Sequence, residues 1–388
     1  MKILYDLMAT QPLGGNKFHG GGEYAKIVFE HLVKNKKNAE IVCIYNKNNY
    51  LDKDIIRLIK DNHLELLDIE KIDIQEITST FKINKFYSAL PYQFYDLNLD
   101  NLEFIFTIHG LRPIEMPTDK YEIRYAKNMR DIAKFILKNI FKRRYVSTKK
   151  SQFNKLFSIS KNITIITPSL YTKYSLLRHF TELKQKQIYV LYSPRQKTVL
   201  LNNIKKLQDL NLREKQFFLL INADRWIKNS FRAIQALDQL FSEFPEIKEK
   251  VLVLGVDKIK RFQKMVINKD KFIFHGYVER NVLEILYKSA YCLIYPTLNE
   301  GFGYPPLESM KWGTPVISSA ITSITEICQD GVIYFNPFSV EEIKNRILQL
   351  VFEPGIYERY SQIGIEVSKQ VAIKQDQMLD KLVDTILN

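Results

Sequence analysis

The 388-residue chain is short of several things, and each shortage excludes a class of protein. It has three cysteines, Cys43, Cys292 and Cys328, and no two stand at the spacing of a metal clip or a redox pair. A disulfide framework is therefore excluded, and the three read as small buried apolar residues in a reducing cytoplasm. No apolar run reaches the roughly 18 residues that a membrane-spanning helix needs. The densest clusters, 217–221 and 251–256, have the length of strands. The opening MKILYDL runs straight into a strand-like stretch, so no secretory leader is expected. Low-complexity tracts and solenoid periods are missing as well. What remains is 46% hydrophobic and 26% charged, which is the composition of a folded globular chain, and the length suits two to three domains.

Acidic residues are also in short supply. Lysine and arginine number 57 against 43 aspartates and glutamates, a formal charge of +14. The excess suits an anionic partner: nucleic acid, a membrane surface or a phosphorylated small molecule. It is concentrated. Lys120 to Lys150 holds eleven basic residues against Glu122 and Asp131, so nine of the fourteen charges lie there.

Short β-branched runs alternate with longer amphipathic stretches. Strands are expected at Lys2–Tyr5, Glu40–Tyr45, Glu103–Ile108, Ile163–Thr167 and Ile188–Tyr192, with helices such as Tyr24–Val33 and Leu170–Phe180 between them. A polar, basic stretch, Pro194 to Arg213, reads as a linker. The alternation then resumes with strands at Phe217–Asn222, Val251–Gly255, Phe272–His275, Tyr291–Tyr295 and Pro315–Ser318. The chain finishes in a helical stretch over Tyr357–Leu387. Alternation of this kind predicts parallel sheets covered on both faces, here in two doubly wound α/β units with ligands at the carboxyl edges of the strands.

Four motifs carry chemistry. Gly20-x-Gly22-x-x-Ala25 formally matches a dinucleotide fingerprint, but the preceding strand ends near Asp6, too far upstream, and Glu40 begins the next strand instead of ending it. What survives is Gly21 and Gly22 ahead of a helix, where N–H groups and the helix dipole can face an anion; a flexible loop with a cap is the plainer alternative. His109 follows a strand and precedes a turn, a position suited to function, although a lone histidine is more often structural. Arg225 and Lys228 sit between a strand and a helix and could hold phosphate, or form a solvated basic turn. The stretch from Tyr295 to Met310 is the most informative. Glu300 lies in a Gly-flanked turn, Pro305 and Pro306 suit the first turn of a helix, and Glu308 falls one turn inside it. The N–H groups of Phe302 to Tyr304 could meet a phosphate. Glu308 could accept from both hydroxyls of a ribose, and Glu300 could touch a second polyol. Two carboxylates eight apart could also be a glycosidase pair, but their origin in one short turn and helix suits binding better.

Glu300 to Glu308 matches the E-x7-E signature of retaining glycosyltransferases. The longer run, from His275-Gly276-Tyr277-Val278 through this motif to Trp312-Gly313-Thr314-Pro315-Val316-Ile317, resembles glycosyltransferase family 4 of the GT-B fold. The resemblance is dense over residues 217–345 and local before them, at Gly21-Gly22-Glu23, at Thr107-Ile108-His109 with Pro113 and Pro117, and over Ile165 to Ser169.

It implies a metal-independent transferase with two Rossmann-like domains. An acceptor domain would span 1–195, joined by a C-terminal helix at 370–388, and a donor domain 196–369. The donor would be a nucleoside-diphosphate sugar of UDP or GDP type, with no other cofactor. The acceptor would be a hydroxyl on a lipid-linked or polysaccharide intermediate. Arg225 and Lys228 resemble the family's diphosphate-binding pair, Glu308 its ribose-binding glutamate and Glu300 the glutamate that holds the donor sugar. The backbone of Gly301, Phe302, Gly303 and Tyr304 would cradle the diphosphate, with Leu307 beside it, and Tyr277 and Val278 would edge the base. His109, Gly21 and Gly22 would reach the sugar and the β-phosphate. One departure stands out: Asp224 occupies the place where the family usually has glycine before the arginine.

The basic segment is the last feature. Met129, Ile132, Ile136 and Ile140 recur at helical spacing, with Arg130, Lys134, Lys138 and Lys142 on another side. Such a helix either docks on anionic lipid or packs its apolar stripe on the N-terminal sheet. Asp52-Lys53-Asp54 reads D-x-D, but at a helix start it is expected to cap. Two other activities fit parts of the chain: a nucleotide-sugar epimerase on the same scaffold, and a non-catalytic basic protein of membrane surfaces. No nucleic-acid motif is present, and nucleic acid is not expected as a partner.

Overall fold

The computed structural model describes residues 1–12, 20–184, 187–196 and 205–388. Gly14, Gly15 and the middle of the expected linker, 197–204, lie outside the described residues. The chain forms two compact units. Unit 1 comprises Met1–Ile114, Arg144–Gln196 and Ala372–Asn388, and unit 2 comprises Glu115–Arg143 and Lys197–Val371.

Unit 1 is built on seven strands: β1 (Lys2–Asp6), β2 (Glu40–Tyr45), β3 (Glu65–Asp68), β4 (Lys85–Ser88), β5 (Glu103–Thr107), β6 (Asn162–Thr167) and β7 (Ile188–Val190). They run parallel in the order β3-β2-β1-β4-β5-β6-β7. In β1, β4 and β5 almost every residue is buried, and β1 and β5 accordingly read as near-continuous apolar runs with little alternation. One face packs around Phe86, Phe104 and Phe106, the other around Tyr5, Phe29 and Tyr87. The strand order reverses between β1 and β4, where Asp6 and Ser88 end their strands. The Ser88 hydroxyl donates to Asp6 Oδ2 at 2.7 Å.

Unit 2 has six parallel strands: β8 (Phe217–Leu220), β9 (Lys250–Leu254), β10 (Phe272–His275), β11 (Cys292–Tyr295), β12 (Val316–Ser319) and β13 (Ile333–Phe335). Their order is β10-β9-β8-β11-β12-β13, with the reversal between β8 and β11. Both units therefore have the doubly wound architecture expected from the alternation. Strands β3, β4 and β13 were not expected. Each has only three or four residues, and β3 (ELLD) and β4 (KFYS) have polar or charged residues at both ends, which breaks the apolar run.

Seven helices bear on the site and its surroundings: α1 (Gly20–Asn35), α2 (Lys53–Asp61), α3 (Met129–Ile140), α4 (Ser230–Glu243), α5 (Arg280–Ser289), α6 (Tyr304–Met310) and α7 (Ile356–Leu387). Asp52 caps α2, accepting from Asp54 N at 3.0 Å, and also pairs with Lys26 at 2.6 Å. The 32-residue α7 begins in unit 2 and ends in unit 1, where Leu379, Leu382, Val383 and Ile386 join the apolar layer around Tyr5. The three cysteines are free and buried, and burial pushes their thiols up.

The basic segment lies outside the boundary expected for it, and its helix bears on the choice that the sequence left open. First, residues 115–143 belong to unit 2, not to the N-terminal unit that the 1–195 boundary gave them. The physical reason is a set of long-range pairs. Arg232, 1% exposed on α4, donates to both carboxylate oxygens of Asp119 at 2.9 Å and stacks on the Tyr121 ring at 4.0 Å. Tyr125 is buried against Phe231, and Lys127 pairs with Asp257 and Asp224. Second, the apolar stripe of α3 does not pack on a sheet. No residue of α3 is buried, and Met129, Ile136, Leu137 and Ile140 are between 46% and 76% exposed.

Candidate active site

The densest chemistry lies at the carboxyl edge of the unit 2 sheet, in the two loops that leave β8 and β11 at the order reversal. Open α/β sheets bind ligands at such places. The loop after β8 turns sharply. Asn222 and Asn229 both take left-handed backbone, a conformation that asparagine tolerates better than most residues. Between them a single helical turn, Trp226–Lys228, points the Lys228 side chain inward. The second loop is fastened to the first: Leu298 N donates to Ile227 O at 2.8 Å.

Lys228, 6% exposed, donates to the Tyr295 hydroxyl at 2.6 Å and to Glu300 Oε1. The same Oε1 accepts from Tyr295 and from Thr297, each at 2.8 Å. Glu300 is thus a carboxylate held by a cation and two hydroxyls. Burial, and then the Glu300 charge, raise the Tyr295 phenol well above its ordinary range, so it serves as a donor. Glu300 N donates to Thr322 Oγ1 at 3.1 Å, and Ser323 Oγ donates to the carbonyls of Glu300 and Phe302. These bonds fix the turn. Gly303 has φ +109°, and a Cβ there would stand 2.6 Å from Ile324 Cδ1, so both backbone conformation and space demand glycine. Tyr304, Pro305 and Pro306 then open α6, with Pro at its first positions. Arg225 is exposed beside this cluster and acts electrostatically on Tyr295.

Glu308 and Leu307 lie on α6, buried. The Glu308 carboxylate accepts from Arg280 Nη2 on α5, and Arg280 Nη2 also donates to Glu284 Oε1 at 2.7 Å. Burial raises the Glu308 carboxyl above the ordinary glutamate value, with Arg280 the largest opposing influence. Tyr277 is 64% exposed and its hydroxyl donates to Asn222 Oδ1 at 3.2 Å, which places the residues expected at the base beside the β8 loop; Val278 is half-buried. Asp224, the departure from the usual glycine, accepts from Arg261 Nη2 at 2.8 Å and pairs with Lys127 at 3.1 Å. It anchors the 115–143 segment.

Unit 1 holds the remaining candidates. Gly21 and Gly22 form the first turn of the 16-residue α1 rather than preceding it. His109 follows β5, its Nε2 lies 3.0 Å from Ala89 O, and its ring meets Tyr24 edge-on at 4.7 Å.

Sequence reasoning missed Tyr295 and Thr297 as partners of Glu300, and Arg280 and Glu284 as partners of Glu308. The first pair stands immediately before the motif and was open to inspection. The i,i+4 spacing of Arg280 and Glu284 signals a helical ion pair, but nothing local links it to Glu308.

Several solved structures superpose on nearly the whole chain, and among them is a glycosyltransferase of lipopolysaccharide biosynthesis, WaaG (TM-score 0.63, 14% identity, 99% of both chains). The Anabaena protein HepE in complex with UDP-glucose is another (TM-score 0.63, 13% identity, 98% and 99%). The architecture is GT-B. Residues 202–367 match the family model described as glycosyl transferases, group 1, and the chain resembles glycosyltransferase family 4.

Among curated proteins, the O-antigen chain mannosyltransferase RfbU of Salmonella typhimurium is 26% identical over 259 residues, 66% of this chain and 63% of that one. The O-antigen chain mannosyltransferase B of Escherichia coli is 37% identical over 95 residues, 24% of this chain and 25% of that one. The matches thus span less than two thirds of the length of these relatives. No described helix is long and apolar enough to cross a membrane.

Proposed function

We propose that the chain is a retaining, metal-independent glycosyltransferase that moves a hexosyl group from a nucleoside-diphosphate sugar to a hydroxyl of a lipid-linked or polysaccharide acceptor. The observation that carries the reading is the Lys228–Tyr295–Thr297–Glu300 cluster at the order reversal of the unit 2 sheet, followed by the α6 start and Glu308. The O-antigen mannosyltransferases among the relatives support a glycan acceptor in bacterial surface polysaccharide synthesis.

In this reading Glu308 accepts from the donor ribose, with Tyr277 and Val278 at the base. The N–H groups of Gly301 to Tyr304 face the diphosphate, and Glu300 holds the sugar. No side chain is assigned as a covalent nucleophile. The bond from the anomeric carbon to the diphosphate oxygen breaks, and the acceptor oxygen bonds that carbon from the same face. The acceptor proton passes to the departing phosphate oxygen. Arg225 and Lys228 stabilise the charge that develops there, and Lys228 is preorganised by its bonds to Tyr295 and Glu300. His109, Gly21 and Gly22 of unit 1 are assigned to the sugar and the β-phosphate.

The exposed α3 favours an anionic membrane surface as a further partner, on the cytoplasmic side. Arg130 and Lys134 flank an apolar stripe of which no residue is fully buried, and a basic residue near anionic lipid contributes about 1 kcal/mol.

The test is hydrolysis of a panel of nucleotide sugars by the full chain, since slow loss of donor to water identifies the donor without the acceptor. Glu300→Gln and Lys228→Ala should each lower turnover about 100-fold or more, as loss of a preorganised electrostatic group does, with circular dichroism unchanged. Near-normal turnover in either folded variant sinks the assignment.

A further inference from the structure

Glu308 has a partner that its own motif does not supply. Arg280, in the first turn of α5, donates through Nη2 both to Glu308 Oε1 and to Glu284 Oε1. Glu284 is 2% exposed and is held in turn from α6 and the residues after it. Lys311 Nζ stands 2.8 Å from its Oε2, and Trp312 Nε1 donates to Oε2 at 3.0 Å. Four ionised groups alternate in sign: Glu308, Arg280, Glu284, Lys311. Burial, and then the Glu308 charge, raise the phenol of Tyr287, which is buried on the same helix. Lys311 and Glu284 act on Glu308 with opposite signs, and burial disfavours its charge. Among the described residues, Arg280 is thus the cation in direct contact with this buried carboxylate, and its side chain is itself one third exposed.

We propose that Arg280 is a positioning residue for the nucleotide: clamped by Glu284, it keeps Glu308 ionised and oriented so that the carboxylate accepts both hydroxyls of the donor ribose. This deepens the proposed function and rests on its assignment of Glu308. The count of acceptor sites fits. An ionised carboxylate offers about four lone-pair sites, and the bond from Arg280 leaves enough of them for a vicinal diol. A protonated Glu308 would turn one oxygen into a donor and lose that match.

The experiment measures binding of UDP and GDP to the full chain by calorimetry from about pH 5.5 to 8.5, read as the ratio of variant to wild-type Kd at each pH so that ionisation of the ligand cancels. Arg280→Met removes the counter-charge, so the Glu308 carboxyl moves up further and is protonated at the acid end. The ratio should be about tenfold or more at the acid end, the worth of a charged hydrogen bond, and fall as pH rises and Glu308 ionises. Arg280→Lys, which keeps the charge, should flatten the profile. Glu308→Gln should weaken binding at every pH without a slope. Should Arg280→Met not fold, Arg280→Gln gives the same readout, because it keeps a hydrogen-bonding group and loses the charge. A folded Arg280→Met or Arg280→Gln protein with a flat ratio near one overturns the inference while Glu308→Gln still binds weakly. Unchanged binding by Glu308→Gln overturns the ribose assignment, and the inference with it.

Discussion

The Asp119–Arg232 pair offers the sharpest test of how unit 2 is held together. Arg232 is 1% exposed and the Asp119 side chain 8%, and both guanidinium nitrogens Nη1 and Nη2 reach the carboxylate at 2.9 Å. Asp119→Asn keeps the shape and removes the charge, leaving a buried cation with the Asn229 side chain at 2.8 Å and the Tyr121 ring for company. Breaking a buried pair from one side costs about 3–5 kcal/mol, and the two remaining contacts place this case near about 3. For a unit of this size that is a fall in Tm of roughly 6–12 °C. The chain has two tryptophans, Trp226 and Trp312, and both lie in unit 2, so denaturant titration followed by tryptophan fluorescence reports on this unit. Replacing the pair with apolar residues, Asp119→Leu with Arg232→Met, should recover most of the loss, because neither charge is then buried alone. A loss below about 0.5 kcal/mol for Asp119→Asn, or a double variant worse than the single one, would refute the reasoning that this pair pins 115–143 to unit 2.

Two further outcomes are expected. Asp6 is fully buried, and burial raises its carboxyl from the ordinary 3.8 to about 7 against the lowering effect of the Ser88 hydroxyl. The folded state holds this proton more tightly than the unfolded one, so the contribution is full below about pH 4 and is lost as pH rises through about 7, on the order of 4 kcal/mol. Urea titrations should show the stability of Asp6→Asn gaining on the parent over that window, and a constant difference would count against a protonated Asp6. The full chain should sediment with phosphatidylglycerol-containing vesicles at low salt, lose them as salt is raised, and bind several-fold less with Ile136→Glu and Ile140→Glu together. Equal binding to neutral vesicles, or none at low salt, would remove the membrane from the proposed function.

The sequence was readable where the information is local. Strands β1, β5, β8 and β11 announce themselves because parallel strands buried on both faces are apolar without a break. The E-x7-E turn is readable because the spacing of Glu300, Gly303, Pro305 and Glu308 is set within one loop and one helix turn. What escaped depends on contacts between distant residues. Asp119 pairs across 113 positions, so nothing near residue 119 says which unit it joins. The stripe Met129–Ile136–Ile140 has the same spacing whether it is covered or bare, so hydrophobic period alone left α3 undecided. Arg280 drew no attention, since its partner Glu308 lies 28 residues away.

The chain passes between its two units four times: after Ile114, Arg143, Gln196 and Val371. Neither unit is a continuous stretch of polypeptide, which bears on the order of events during synthesis. An amino-terminal domain ordinarily completes itself first as the chain emerges. Here unit 1 cannot bury the apolar layer around Tyr5 until Leu379, Leu382, Val383 and Ile386 have left the ribosome, whereas unit 2 has all its residues by Val371. The later-encoded unit is therefore able to close first. The unit begun at Met1 waits, one apolar face open, for the last turns of a 32-residue helix to seal it.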